Sequence, residues 1–144
     1  MIRHSFLLAA TLLLSACDQQ PAPDLNVRDG WARATAEGQT AGAVYLTIDN
    51  RGGTDRLVGV STDQAAMAML HENATTNGVS QMRMLEAVDI PANGQVALEP
   101  GSKHIMLEGL RGELVKGLRF EVQLTFDKSG RKVVPVTVVG ASER

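Results

Sequence analysis

The alternation of apolar and polar residues between positions 119 and 126 is the feature that most constrains the fold. Every second residue of this stretch, from Phe120 to Phe126, is apolar, and the residues between them are polar or charged. A period of two is typical of a β-strand with one face in a core and the other toward solvent. No segment shows convincing helical periodicity, although residues 62–68 could form one helical turn. The apolar side chains of the alternating stretch are Phe120, Val122, Leu124 and Phe126.

Short strands separated by turn signals recur along the chain. Residues 91–94 and 99–102 each combine a proline and a glycine in the order that β-turns use. Residues 50–53, Asn-Arg-Gly-Gly, predict a hairpin, and residues 73–78 are polar and predict a loop. The spacing predicts an all-β sandwich or barrel of about nine short strands. The predicted strands include residues 43–49, 66–72, 81–85 and 104–110.

The first residues of the chain predict export. Arg3 gives a short basic start, and residues 6–14 form an apolar run that only Thr11 interrupts. With the small residues that follow, this pattern predicts a signal peptide over residues 1–16, too short to be a spanning helix. The sequence Leu-Ser-Ala-Cys that ends at Cys17 resembles a bacterial lipobox, which predicts lipidation of that cysteine. An ordinary signal peptide with a nearby cysteine is the alternative.

The part of the chain after the signal peptide divides into a tether and a domain. Residues 17–26 contain two prolines and predict an extended, lipid-anchored tether, and residues 27–144 predict the folded domain. Cys17 is the only cysteine, so the domain has no intramolecular disulfide and depends on its hydrophobic core. Without residues 1–16, the chain keeps 13 of its 14 basic residues against 16 acidic ones. This mildly acidic balance shows no basic stripe that would indicate nucleic-acid binding.

Histidine and methionine are confined to one window of the mature chain. His4 falls in the predicted signal peptide, which leaves two histidines, and loss of Met1 leaves five methionines. A methionine that serves only in packing could lie in any strand, yet residues 43–49, 119–126 and 132–139 contain none. The seven remaining donors are Met67, Met69, His71, Met82, Met84, His104 and Met106.

The spacing of these donors favours a shared metal site. Side chains two apart on a strand point to the same face, so His104 and Met106 can reach one ion. Thioether sulfur favours Cu(I), whereas zinc sites use cysteine, histidine and carboxylate. A blue-copper electron-transfer site needs a cysteine thiolate, which the domain lacks, so the donors favour a carrier of Cu(I). Taken singly, a histidine on a strand is more often a surface or hydrogen-bonded residue than a ligand, and a methionine is usually core filler. The confinement of all seven donors to one window is what favours the metal site.

The spacing His71, ten residues, Met82, twenty-one residues, His104, one residue, Met106 resembles the signature of the PCuAC family of periplasmic copper chaperones. The resemblance extends to residues 31–35, 42–46 and 55–58 and covers almost the whole mature chain. It implies a cupredoxin-like Greek-key β-barrel in which these four residues bind one Cu(I). It also implies delivery of copper to the CuA centre of cytochrome c oxidase, in some cases with a Sco-type thiol partner.

The chain departs from the PCuAC pattern at two positions. Met84 stands where family members often have proline, and Met69 where they often have a polar residue. They are either apolar side chains at the rim or auxiliary thioethers that help copper enter or leave. Some relatives carry a tail rich in histidine and methionine, and its absence before Arg144 predicts a single copper site.

Several functions compete for this sequence. The first is a monomeric periplasmic Cu(I) chaperone for a copper enzyme, and the second is a copper-buffering or resistance protein with no dedicated client. A metal-free binding module on the same scaffold is a third. An enzyme is the least favoured, because the chain has no supportable Ser-His-Asp arrangement and no glycine-rich phosphate loop. Trp31, the sole tryptophan, is predicted to be a core anchor.

Overall fold

A computed structural model describes residues 20–144 of the protein. The predicted signal peptide, residues 1–16, and the predicted lipidation site Cys17 lie outside the described residues. Residues 20–144 contain ten strands and no helix, so the predicted all-β class is confirmed and the strand count is one higher than expected. None of this part of the chain therefore forms a helix with the length and hydropathy needed to cross a lipid bilayer.

The strands follow one another with short connections. Their bounds in chain order are β1 Leu25–Arg33, β2 Ala41–Asn50, β3 Asp55–Ser61, β4 Ala65–Thr76, β5 Val79–Leu85, β6 Val88–Ile90, β7 Gln95–Leu98, β8 Lys103–Leu110, β9 Arg119–Phe126 and β10 Gly130–Val139.

Hydrogen bonding links the strands in the order β5-β4-β8-β2-β1-β10-β9-β3-β6, and β7 pairs with β2 beside β8. All of the pairings are antiparallel except that of β1 with β10, which joins the two halves of the sheet. Most neighbours in space are not neighbours in sequence, as in a Greek-key arrangement. The strand β5 stands at one end of this order, where only β4 pairs with it.

The core lies between the two halves and is built from alternate residues of their strands. The predicted half-buried strand at 119–126 is confirmed: Phe120, Val122, Leu124 and Phe126 are all buried. Leu70 of β4 and Ile105 of β8 belong to the same core cluster. Each apolar side chain of this size stabilises the fold by about 1.5–3 kcal/mol when it is fully buried, so these alternations fix which face of every strand turns inward.

The segment before β1 packs against the turn after β2. Strand β1 begins at Leu25 and so includes the last two residues of the predicted tether. The buried Asn50 side chain accepts a hydrogen bond from the Asp24 amide at 3.2 Å and donates to the Pro91 carbonyl at 2.8 Å. A Cβ at Gly52 would lie 2.0 Å from the Ala22 carbonyl oxygen, so this close approach requires glycine.

Two of the expectations about local structure are wrong. Residues 50–53 form a turn, but they do not form a hairpin, because β2 and β3 pair with other strands. Residues 62–68 contain no helical turn, since β4 begins at Ala65.

A third expectation, the loop at residues 73–78, is also wrong. Strand β4 continues to Thr76, which pairs with Val79 of β5. Asn77 and Gly78 between them have φ values of 52° and 77°. Positive φ at both central residues defines the two-residue hairpin turn that an Asn-Gly pair favours. The hairpin extends β4 past the histidine it carries and places β5 alongside.

We expect Asp55→Asn to destabilise the fold by about 1–3 kcal/mol, the cost of unsatisfied buried hydrogen-bonding groups. Burial raises the pKa of the Asp55 carboxyl, but hydrogen bonds from the Ser129 side chain and from backbone amides, Lys128 among them, outweigh it and lower the pKa overall. The stabilisation is therefore present above the unfolded-state pKa and is lost as pH falls through the lower folded-state value. Urea unfolding between pH 2.5 and pH 7 measures this.

The exposed Asp127 offers a matched control, because it lies in the same turn between β9 and β10 as Lys128 and Ser129. Asp127→Asn should leave the free energy of unfolding nearly unchanged, because surface substitutions of this kind usually stay within about 0.5 kcal/mol. Equal losses in the two variants, or an Asp55→Asn protein as stable as the original at pH 7, would contradict the role assigned to Asp55.

Candidate metal centre

The two histidines face each other across neighbouring strands. His71 of β4 is directly opposite His104 of β8, and on its other side it is directly opposite Met84 of β5. Side chains that are directly opposite in an antiparallel pair point to the same face and have Cβ atoms about 4.5–5.5 Å apart. One row of the sheet therefore carries two imidazoles and a thioether side by side.

The neighbouring rows carry more sulfur. Met69 is directly opposite Met106, one row from the histidines, and Met82 is opposite Asn73, one row away on the other side. Met67 lies two residues before Met69 and shares its face. All seven donors singled out in the sequence therefore lie on one face, the outer face of β5, β4 and β8, which we call the donor face.

The opposite face of the same strands belongs to the core. Leu70 is directly opposite Ile105 of β8 and Leu85 of β5. Leu70 and Ile105 are buried, and Leu85 is partly buried against the core. The inward burial of these residues turns the residues between them, the histidines and methionines, outward.

The two histidine rings lie close together. Their centroids are 5.9 Å apart and the rings meet edge to face at 75°. The Nδ1 atom of His104 lies 3.1 Å from the Ser102 carbonyl oxygen. Because a carbonyl only accepts, Nδ1 donates the hydrogen, and a neutral imidazole with this tautomer has its lone pair on Nε2. A hydrogen bond of this kind also orients metal-ligating histidines.

His71 contains a buried atom that has no hydrogen-bond partner. Its Nδ1 is inaccessible to solvent and makes no hydrogen bond within residues 20–144. Buried polar atoms are nearly always paired, and an unpaired one costs about 1–3 kcal/mol. A metal ion bound by this nitrogen would satisfy it.

Two aromatic side chains, Tyr45 and Trp31, lie in line beside His104 on the side away from His71. The Tyr45 ring of β2 lies 6.4 Å from the His104 ring, and Trp31 of β1 lies 4.5 Å from Tyr45. Burial raises the pKa of the Tyr45 hydroxyl. The prediction that Trp31 anchors the core is wrong: it is partly buried on the outer face, where Arg33 stacks over its ring at 5.8 Å.

A β-bulge explains the position of Trp31. The β1–β2 register shifts between Arg28 and Trp31, and Asp29 in the bulge has a φ of 56°. The extra residue turns Trp31 to the same face as Tyr45. Gly30 is required there, because a Cβ would lie 2.4 Å from the Pro135 carbonyl oxygen of the parallel strand β10.

The methionine residues differ in exposure. Met67, Met82 and Met84 are 54%, 51% and 67% exposed, whereas Met69 and Met106 are partly buried. The two histidines are also covered, His104 almost completely, with 4% exposure. The arrangement is thus closed toward β8 and β2 and open toward the edge strand β5.

The donor set restricts the metal that the site could hold. Across residues 20–144, no three histidine, cysteine or carboxylate side chains group closely enough to hold a metal ion. The nearest metal-binding side chains on the same face as the histidine pair are the thioethers of the methionines. Neutral imidazole and thioether donors suit a soft, singly charged ion such as Cu(I) and do not suit Mg²⁺ or Ca²⁺.

A network of charges on the other face holds the three strands in place. Glu72 accepts hydrogen bonds from Arg83 of β5 at 2.6 Å and from Lys103 of β8 at 3.0 Å. The hydrogen bonds from Arg83 and then Lys103 hold the pKa of the Glu72 carboxyl below its usual range. Because Glu72 is next to His71, this network ties β5, β4 and β8 together at the row of the histidines.

The four predicted ligands are not equally placed. The structure brings His71 and His104 directly together, with Met106 in the next row on β8. Met82 lies in the row beyond them, and the auxiliary candidates Met69 and Met84 are each directly opposite a predicted ligand. Sequence reasoning missed Tyr45 as a neighbour of His104, since only the register of β2 against β8 reveals that contact.

The fold is that of a known class of domain. The apo PCuAC domain from PmoF1 superimposes with a TM-score of 0.69 at 27% identity, over 81% of this chain and 93% of that one. The solution structure of CuI-DR1885 from Deinococcus radiodurans gives a TM-score of 0.65 at 25% identity, over 90% and 85%. The predicted cupredoxin-like fold is confirmed by this similarity.

The sequence assigns the family. Residues 25–138 match the family model described as "Putative lipoprotein LpqE-like". A Leifsonia xyli subsp. xyli protein named "Putative lipoprotein Lxx21020" is 35% identical over 130 residues, which are 87% of this chain and 77% of that protein. The chain belongs to the LpqE-like family. Together with the similarity to PCuAC domains, this supports the predicted family. The spacing motif and the assignment of individual ligands stay predictions.

Proposed function

We propose that the protein binds one Cu(I) on the outer face of β4, β5 and β8, through His71, His104, Met82 and Met106. The observation that carries the proposal is the pair of facing histidines. One has a buried, unpartnered Nδ1, and the other has an Nε2 freed by the bond to Ser102. Both stand among thioethers and without a nearby carboxylate or thiolate cluster in residues 20–144.

The Cu(I) state follows from the donors. The similar structure CuI-DR1885 is a Cu(I) form by its name, which supports the same ion here. Four neutral ligands leave the single positive charge of the ion in place, and the domain has no thiolate to retain it. Such a site exchanges its ion with a partner's ligands, so its function is carriage and neither catalysis nor electron transfer.

The proposed client is an apo copper enzyme, with the CuA centre of cytochrome c oxidase favoured and a Sco-type protein as a possible intermediary. The open side of the site at β5 supports delivery, because both methionines of that end strand, Met82 and Met84, are more than half exposed. A copper-buffering protein without a client would use the same ligands, and it is the alternative. The chain acts as a monomer in this proposal.

The proposed location is the periplasm, with a lipid on Cys17 holding the domain to a membrane. The names of the matched family and of the Leifsonia relative describe lipoproteins, which supports this placement. The lipobox-like residues that end at Cys17 supply the modification site. Residues 18–24 would then link the lipid to β1.

We expect His71→Ala and the double variant His71→Ala/His104→Ala to lose tight Cu(I) binding. Removing one nitrogen donor should weaken binding by about 1.5–3 kcal/mol, roughly ten- to a hundredfold, if it resembles the loss of a charged hydrogen bond. The measurement is competition with a Cu(I) chelator under reducing conditions, with circular dichroism to show that each variant is folded. The original protein should bind one equivalent.

Thr75→Ala is the matched control, because Thr75 is exposed on the same face of β4 beyond the proposed ligands. It should bind Cu(I) as the original protein does. Unchanged Cu(I) affinity in the folded double variant would refute the assignment of the histidines.

Transfer and deletion experiments separate the chaperone from the buffer. A chaperone should pass Cu(I) to an isolated apo CuA domain, and its deletion should lower oxidase activity in copper-poor medium. A buffer should keep its copper in the transfer assay, and its deletion should raise sensitivity to added copper. The second pattern would contradict the proposed client.

Mass spectrometry of the processed protein tests the anchor. We expect a chain that begins at Cys17 and carries a lipid mass, with processing blocked by globomycin. A mature chain without lipid, cleaved normally in the presence of globomycin, would contradict lipidation and leave an ordinary exported protein.

A further inference from the structure

The position of Met69 in the donor face has a consequence for how copper is released. We propose that Met69 is an alternative fourth ligand, which replaces Met82 while His71, His104 and Met106 keep the ion. This inference rests on the proposed function, because it concerns Cu(I) at the same histidine pair. It assigns a role to a residue that the PCuAC spacing does not include.

The register places Met69 at least as close to the site as Met82. Met69 is directly opposite Met106 and two residues before His71 on the same strand. Met82 is opposite Asn73, so it reaches the histidine pair only diagonally. Diagonal neighbours on a sheet are about 7–8 Å apart, whereas residues two apart on one strand, as Met69 and His71 are, have Cα atoms about 6.6 Å apart. A methionine has three rotatable bonds and can span either distance.

The two methionines differ in what surrounds them. Met82 lies on β5, the end strand that only β4 pairs with, and it is 51% exposed. Met69 lies on β4, between β5 and β8, and is partly buried. A partner that approaches the open side therefore meets Met82 first, while Met69 stays behind with the histidines.

Exchange of one methionine for the other conserves the donor set. When Met82 dissociates from the ion and turns toward solvent, the thioether of Met69 takes the vacated position, and the ion keeps two nitrogens and two sulfurs. No proton or electron moves in this step, since both thioethers are neutral. The protein can thus open its site toward β5 without leaving the ion with too few ligands.

The other two methionines provide a contrast. Met67 is on the same face of β4 as Met69, but it is one row further from the histidines and opposite Glu108. Met84 is directly opposite His71, but it lies on the end strand β5 and is 67% exposed. Met67 is therefore a control with the same chemistry, and Met84 is the competing candidate for the same role.

The test is a set of methionine-to-leucine variants, which conserve volume and therefore disturb folding little. Cu(I) affinity by chelator competition and sulfur coordination by X-ray absorption would be measured for Met82→Leu alone and combined with Met69→Leu, Met67→Leu or Met84→Leu. We expect Met82→Leu alone to weaken binding less than about tenfold and to keep two sulfurs. Adding Met69→Leu should weaken binding by a further factor of about ten or more, because the two residues share one role.

The remaining doubles should match Met82→Leu alone in affinity and in sulfur count. A single sulfur in Met82→Leu, with no further effect of Met69→Leu, would overturn the inference and leave the proposed function intact. Loss of the second sulfur only in the double with Met84→Leu would overturn it in favour of Met84. If the original protein binds no Cu(I), the proposed function fails and this inference fails with it.

Discussion

The pairing of β4 with β8 is the interaction on which the rest of the structure depends. Leu70 opposite Ile105 faces the core, and His71 opposite His104 therefore faces outward in the next position of the ladder. A slip of one residue would exchange the two faces of β4, burying His71 and exposing Leu70. The burial of each large apolar side chain is worth about 1.5–3 kcal/mol. The fold thus holds the histidines together without help from a metal.

The donors divide into a firmly held group and an exposed group. His104 is buried beside Tyr45 and bonded to Ser102, and Met106 on the same strand is partly covered. Met82 and Met84 project from an end strand that β4 and the Glu72 ion pairs hold in place. A carrier of Cu(I) needs this combination, because the ion must be held through its imidazoles and surrendered through sulfur that a partner can replace.

The fold class and the membership of the donor face could be predicted from the sequence because both depend on periodicity. The alternating residues at 119–126 lie on opposite faces of a strand in the structure. The histidines and methionines that are two residues apart share one face of their strands. The hairpin at Asn77 and Gly78 also had a sequence signal, the Asn-Gly pair, but the polar residues around it favoured a loop.

Other features could be recognised only from the tertiary structure. The bulge at Asp29 and Gly30 reverses the face of Trp31, which no local pattern of β1 indicates. Residues 50–53 have a sequence that is typical of a hairpin turn. In the structure, their glycines instead allow residues 21–24 to pack closely against them. The nearness of Met69 to Met106 and of Met84 to His71 depends on which strands are neighbours and in which register. Spacing along the chain does not contain that information.

The most direct measurement is a titration of the mature protein with Cu(I), followed in proton–carbon spectra with labelled methionine, leucine and valine methyl groups and histidine rings. The account predicts that the rings of His71 and His104 and the methyl group of Met106 shift together and stop shifting at one equivalent. Thioethers on β4 or β5 should join them, and buried core methyl groups should not move. Histidine rings that are unaffected by one equivalent of Cu(I) would contradict the proposed site.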